Sequence, residues 1–276
     1  MKKILFTFIA GAFIILMSAC TKTTTSDTGR LVVKVTDDPF NISYVESATV
    51  TITKIEIRKT GDCIPDGNPF IVASEAEITF DLINLRNGVV EELADLEIPA
   101  GEYDLVRLYV DEASLKLFDI ASPFKVKVPG GQQTGIKIFI SPALRVEGGL
   151  TSELLLDFDL SRSFVMRGNL HHSAGVNGFI FKPCIRATNL STAGRIEGVV
   201  TDIDKVKIEN AKVWVEQDTV VATAFTDASG YYAFIGIPAG TYSMLATKEN
   251  YDTVEYAGIK VIEGNRTIQN FALHIK

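Results

Sequence analysis

The chain is poor in the residues that carry chemistry. Its 276 residues include three cysteines, three histidines and one tryptophan. Cys20, Cys63 and Cys184 never form a C-x-x-C pair, so neither a zinc knuckle nor a thioredoxin-like site is indicated. His171, His172 and His274 form no H-E-x-x-H. His171 and His172 are adjacent, and adjacent side chains on an extended chain point apart, so no metal is expected. G-x-S-x-G, a P-loop and G-x-G-x-x-G are all missing. Ser122-x-x-Lys125 and Lys59-Thr60-Gly61 occur, but in the wrong order for a penicillin-binding enzyme and without S-D-N. The expectation is a protein that is not an enzyme and holds no cofactor. Positive charge is also short. Formal charge is −7, which repels phosphate backbones and argues against nucleic acid as a partner. No stretch keeps a helical period over about 11 residues. The apolar run Ile4 to Met17 has 14 residues, short of the roughly 20 a spanning helix needs.

That run fits a signal-peptide core, behind the basic start Lys2-Lys3. It ends in Leu16-Met17-Ser18-Ala19-Cys20, which resembles a bacterial lipobox, with Met17 where the pattern most often has leucine. The resemblance implies a signal peptide over 1–19 and cleavage that leaves Cys20 as a lipidated terminus. Acyl chains anchor at about 0.8 kcal/mol per buried CH₂, so the membrane is an expected partner through this anchor. Residues 20–28 then form a polar, flexible tether. Thr21 stands where inner-membrane retention commonly uses aspartate, which favours the outer membrane. The periplasmic face and the cell surface both stay open. Losing Lys2 and Lys3 with the leader moves the charge to −9. Cys63 and Cys184 either pair in an oxidising compartment or stand as two thiols.

The body is expected to be all-β. Residues 29–190 carry short strand-like runs between Gly/Pro corners, which indicates a sandwich. Ala48 to Ile57 alternates, with a slip at Lys54-Ile55 that fits a bulge. Val89 to Leu96 holds a short turn at most. Leu154 to Leu160 is the clearest strand: Leu154, Leu156, Phe158 and Leu160 inward, Asp157 and Asp159 outward. Four pieces follow one family's order: Val35-Thr36-Asp37-Asp38-Pro39, Phe80 to Leu85, the corner Ile98-Pro99-Ala100-Gly101-Glu102-Tyr103, and Leu156 to Asp159 with Lys182-Pro183. With them stands Val128-Pro129-Gly130-Gly131-Gln132-Gln133-Thr134-Gly135-Ile136-Lys137, the most specific part. Residues 29–190 thus resemble the domain-of-unknown-function family numbered forty-three eighty-two. The resemblance implies a prealbumin-like sandwich in an envelope lipoprotein and hands over no activity.

Residues 193–276 repeat the corner as Ile237-Pro238-Ala239-Gly240-Thr241-Tyr242. Val220 to Thr226, the turn Asp227 to Gly230 and Tyr231 to Ile235 read as a hairpin within a seven-strand set. Gly198-Val199-Val200-Thr201-Asp202, Ala211-Lys212-Val213 and Thr226-Asp227-x-x-Gly230-x-Tyr232-x-Phe234 resemble the carboxypeptidase regulatory-like domain. The resemblance implies a transthyretin-like or starch-binding-like sandwich that does no chemistry and occurs widely in carbohydrate-handling surface proteins. The expected fold is therefore two prealbumin/transthyretin-like β-sandwiches in tandem behind a lipoprotein signal peptide. Polysaccharide is the leading ligand class, by resemblance alone. The alternative is a fimbrial or adhesin-like subunit whose edge strands add a strand from a partner envelope protein. Trp214, Tyr232 and Tyr251 are the aromatic candidates for stacking on sugar rings. Val213 and Val215 oppose Trp214 across the strand, so one set is inside and the other out. Asp157 and Asp159 are weighed for glycoside hydrolysis, or with Asp37 and Asp38 for calcium, against plain outward strand positions.

Overall fold

The computed structural model describes residues 27–38, 44–61, 69–168 and 176–276. Cys20, Cys63, His171 and His172 fall outside the described residues. No described helix is long and apolar enough to cross a membrane.

Twelve strands build the first body. They are β1 (Thr28–Asp38), β2 (Val45–Lys59), β3 (Phe70–Ser74), β4 (Ile78–Asp81), β5 (Glu91–Pro99), β6 (Gly101–Leu117), β7 (Phe124–Val126), β8 (Ile136–Val146), β9 (Thr151–Asp159), β10 (Phe164–Gly168), β11 (Val176–Phe181) and β12 (Ile185–Asn189). One sheet runs β3-β2-β6-β8-β12-β9-β1-β5, with β4 on β2 and β7 on β6. Ile52 and Val106 from one arm share a single core with Leu31 and Phe158 from the other. The sheet therefore folds over itself about β8, which bonds to β6 on one side and β12 on the other.

The expected slip in β2 is a double bulge. Thr53 is an extra residue on β2, and Asp111 is extra on β6. The bulge keeps Ile52 and Ile55 both in the core. Where a turn at most was expected near Val89 to Leu96, the chain forms β5, antiparallel to β1 from Thr28↔Pro99 to Val35↔Glu91. Glu and Asp disfavour strands, but the ladder with β1 and the burial of Leu93, Ala94 and Ile98 override that preference.

The second body has its own core. Its strands are β13 (Ala193–Asp202), β14 (Lys212–Glu216), β15 (Val220–Phe225), β16 (Tyr231–Pro238), β17 (Gly240–Thr247), β18 (Val254–Val261), β19 (Arg266–Ile268) and β20 (Phe271–Leu273), eight where seven were expected. One sheet runs β16-β13-β19 with β20 also on β13, and the other runs β15-β14-β17-β18. The expected hairpin is not formed, because β15 pairs with β14 while β16 pairs with β13. Asp227 Oδ1 accepts from Ser229 N at 2.8 Å and Tyr231 N at 3.0 Å, and Gly230 takes φ +73°. This turn carries the chain from one sheet to the other.

The repeated corner does the same work in both bodies. It links β5 to β6 and β16 to β17, each time between strands of different layers. Tyr103 Oη donates to the Pro99 carbonyl at 2.7 Å, and Tyr242 Oη to the Pro238 carbonyl at 2.8 Å. Each ring is buried, and each hydroxyl satisfies the carbonyl that proline exposes at the bend. Gly240 leaves room for the ring, since a Cβ there would stand 3.2 Å from it.

β9 joins the two bodies. Leu154, Leu156 and Phe158 enter the first core as expected. Asp157 points off that core but is not exposed: the second sandwich covers it, leaving the residue 6% accessible. Leu155 is fully buried yet belongs to neither core. A Cβ on Gly236 of β16 would lie 2.8 Å from Leu155 Cδ2, so glycine lets the strands of the two sandwiches meet.

Candidate functional site

A cleft of about 690 Å³ opens on the first sandwich, between Asp111–Ala113 of β6, Lys125–Val126 of β7 and the loop 127–133. The loop is the VPGGQQTG segment, and its geometry explains its residues. Gly130 and Gly135 take φ of +72° and +66°, which L side chains rarely adopt. A Cβ on Gly131 would stand 2.6 Å from the Val110 carbonyl oxygen. The Gly130 carbonyl accepts from Thr134 N and Gly135 N, both at 3.0 Å, and the Gly131 carbonyl accepts from Val110 N at 3.2 Å. The loop is thereby pinned against β6 where the bulge swings Asp111 outward.

The lining carries both signs of charge. Gln132 Nε2 donates to Asp111 Oδ1, and Lys125 Nζ pairs with Glu112 at 3.2 Å. Lys127 and Gln133 complete the polar wall. Carboxylates accept, ammonium groups donate and amides do both, so the wall suits a ligand rich in hydroxyls.

On β2, which pairs with β6, Glu56 is 5% exposed and gathers three partners. Lys54 Nζ stands at 2.7 Å, Arg107 Nη1 at 3.1 Å and Tyr109 Oη at 3.0 Å. Arg107 also covers the Phe70 ring at 3.7 Å. Burial pushes the Glu56 carboxyl up, but the bonds from Lys54 and Tyr109 and the charges of Lys54 and Arg107 outweigh it, so its pKa falls below the ordinary value. A lowered carboxylate pKa stabilises the fold above the unfolded-state value, and that gain is lost as pH falls through the folded one. Glu56→Gln should therefore cost about 2 kcal/mol near pH 7, with the gap closing near pH 3. Urea midpoints at the two pH values check this; an undiminished gap at the acid end contradicts it.

The aromatic candidates do not converge. Tyr232 is fully buried, its hydroxyl on the Gln269 carbonyl at 2.5 Å and its ring beside Phe234 and Phe271. It is a core residue and cannot meet a ligand, which corrects its place among the stacking candidates. Trp214 lies on the outer face, half-buried, with Nε1 donating to Glu216 at 2.9 Å and Lys212 Nζ over the ring at 5.2 Å. Val213 and Val215 are the inward pair. Tyr251 is half-buried against the second core.

Asp37 and Asp157 do come together, at a small pocket of about 20 Å³ between the sandwiches, but Arg186 joins them there. Asp159 instead caps a four-residue helix, accepting from Arg162 N at 2.9 Å. Among the described residues no three His, Cys, Asp or Glu side chains gather as a metal cluster. Cys184 is half-buried, its N–H on Ser163 Oγ at 2.9 Å. Sequence reasoning singled out the glycine-rich loop and met Lys125 only in a chance S-x-x-K, but it did not find Asp111 or Glu112, because the bulge in β6 that presents Asp111 leaves no mark in the residue pattern.

The fold defines a class: two all-β sandwiches in tandem, the second of transthyretin-like build. The chain belongs to the family described as Domain of unknown function (DUF4382), whose model matches residues 28–183, more than half of its length. A carboxypeptidase regulatory-like domain matches residues 195–274. No curated protein matches the chain. Among solved structures, the Bacillus anthracis TIE protein is 14% identical over 90% of this chain, with a TM-score of 0.26, and the chain spans only 34% of it. The shaft pilin SpaA from Lactobacillus rhamnosus GG is 11% identical over 90% of this chain and 100% of its own, at 0.23. BcpA, the major pilin subunit of Bacillus cereus, is 13% identical over 90% of this chain and 71% of its own, at 0.25. Likenesses of this order do not bear on what this chain binds.

Proposed function

We propose that this chain is a non-enzymatic envelope protein, anchored in the outer membrane by a lipid on Cys20, that displays a carbohydrate-binding cleft on its first sandwich. The observation that carries the reading is the cleft itself. Its volume falls within the usual range of about 300–1,000 Å³ for ligand sites, and its wall sets two carboxylates, two ammonium groups and two amides among apolar surface from Ala113, Val126, Val128 and Pro129. Its position fits display. The tether meets the first sandwich at Asp27, whose carbonyl accepts from Ala100 N at 2.8 Å beside the start of β6. Asp111 lies ten residues further along that strand, about 30 Å from the tethered end.

The soluble mature chain, residues 21–276, on an array of plant, host and microbial polysaccharides is the test. Binding to at least one glycan is expected, and Lys127→Glu with Gln133→Ala should weaken it about tenfold or more. Silence across the array, or binding indifferent to those changes, removes the reading. A second reading, a fimbrial or adhesin-like subunit assembling by strand addition, is favoured by β15 and β18 standing at the two ends of their sheet in the second sandwich. Polymer ladders on unboiled gels from intact cells would favour it over the first.

A further inference from the structure

The pocket between the sandwiches is a second site, independent of the cleft. Asp37, Asp157 and Arg186 line it from the first body, and Ala222, Ala233 and Phe234 close it from the second. Arg186 Nη2 donates to Asp157 Oδ2 at 2.6 Å. The Asp157 side chain is 7% exposed. Its other oxygen, Oδ1, is buried and has no hydrogen-bond partner within the chain, and the same holds for Arg186 Nη1. One buried acceptor and one buried donor thus stand unmatched at a junction that both sandwiches build. Leaving such a group buried and unanswered is costly.

The chemistry of an occupant follows from these groups. A cation would face the Arg186 guanidinium. An anion would face Asp37 and Asp157. Calcium wants six to eight oxygens, and the pocket offers few within about 20 Å³. A single water occupies about 10–15 Å³ and can both donate and accept. We propose that this pocket binds one structural water, which donates to Asp157 Oδ1, accepts from Arg186 Nη1 and is enclosed only when the two sandwiches dock. Burial pushes the Asp157 carboxyl above its ordinary range, Arg186 pulls against that, and Asp159 adds a like-charge push. A water donating to Oδ1 would relieve the same burial.

The mature chain crystallised at a resolution that shows ordered solvent is the first test. Expected is one peak within hydrogen-bond distance of both Asp157 Oδ1 and Arg186 Nη1. Overturning results are a direct two-bond Arg186–Asp157 contact that leaves no room, or a peak that exchanges with rubidium or disappears with a chelator, which would make it an ion. Oxygen-17 relaxation dispersion on the full mature chain is the second. Asp157→Leu should lose about one long-lived water, whereas Asp157→Asn should keep it. If Asp157→Leu does not fold, the wild-type crystal still decides. An unchanged count in a folded Asp157→Leu chain sinks the proposal.

Discussion

Gly198→Ala should lower the melting temperature of the second sandwich by about 15 °C or more. Gly198 lies on β13 opposite Tyr232 of β16. A Cβ there would fall 1.7 Å from the Gln269 carbonyl oxygen, 2.7 Å from its carbon and 3.0 Å from Tyr232 Oη. None of these is the free end of a flexible side chain. Gln269 lies between β19 and β20, both parallel to β13, and its N–H donates to the Glu197 carbonyl at 3.0 Å. The methyl group must push this crossing away from β13 and break the Tyr232–Gln269 bond. Overpacking costs about 1–3 kcal/mol, and a buried bond lost with its acceptor left bare about 1–3 more. About 4 kcal/mol is a large part of a small module's stability. Gly258→Ala is the control. Gly258 has φ +76° with nothing within 4 Å of a built Cβ, so it tests backbone strain without a clash and should cost about 1 kcal/mol. A Gly198→Ala protein that melts within about 3 °C of wild type would contradict the steric reading.

How far the fold could be read in advance depended on how many sides of a strand are covered. β14 is covered on one face by the second core, and Val213, Trp214 and Val215 alternate as period two requires. β9 and β16 are covered on both faces where they meet the other sandwich. There Leu154 through Phe158 are buried without a break, as are Tyr232, Ala233 and Phe234. A run buried on both sides loses its alternation, so the phase of β16 was not decidable and Tyr232 read as a surface ring. Asp157 looked outward for the same reason: nothing local records that another domain lies over it. The corners were legible because their cause is local. Proline, glycine and a tyrosine four residues after the proline complete the device within one short stretch. The cleft depends on a bulge in β6 and a loop returning from β7, contacts between segments about 20 residues apart, and so lay beyond any local pattern.

Phe158→Ala should cost the first sandwich about 4 kcal/mol and leave the second nearly untouched. Phe158 is fully buried, with its ring edge-on to Phe80 at 6.1 Å between centroids. Truncation removes the ring's burial, leaves a cavity the sheet cannot close, and deletes an aromatic pair worth about 0.5–1.5 kcal/mol. β9 lies between β12 and β1, so its neighbours on both sides feel the loss. Val213 and Val215 belong to a separate core and keep their own packing. Hydrogen exchange on the full chain should show protection falling at Leu154 to Phe158 and across β1 and β12, while β14 and β17 stay protected. Phe139→Ala, whose ring on β8 is 68% exposed, should change stability by no more than about 0.5 kcal/mol. The contrast isolates burial from strand position, since both residues sit on inner strands of one sheet. If β14 loses protection in step with β9, the two sandwiches unfold as one unit, and the seam around Asp157 and Leu155 couples them more tightly than separate cores imply.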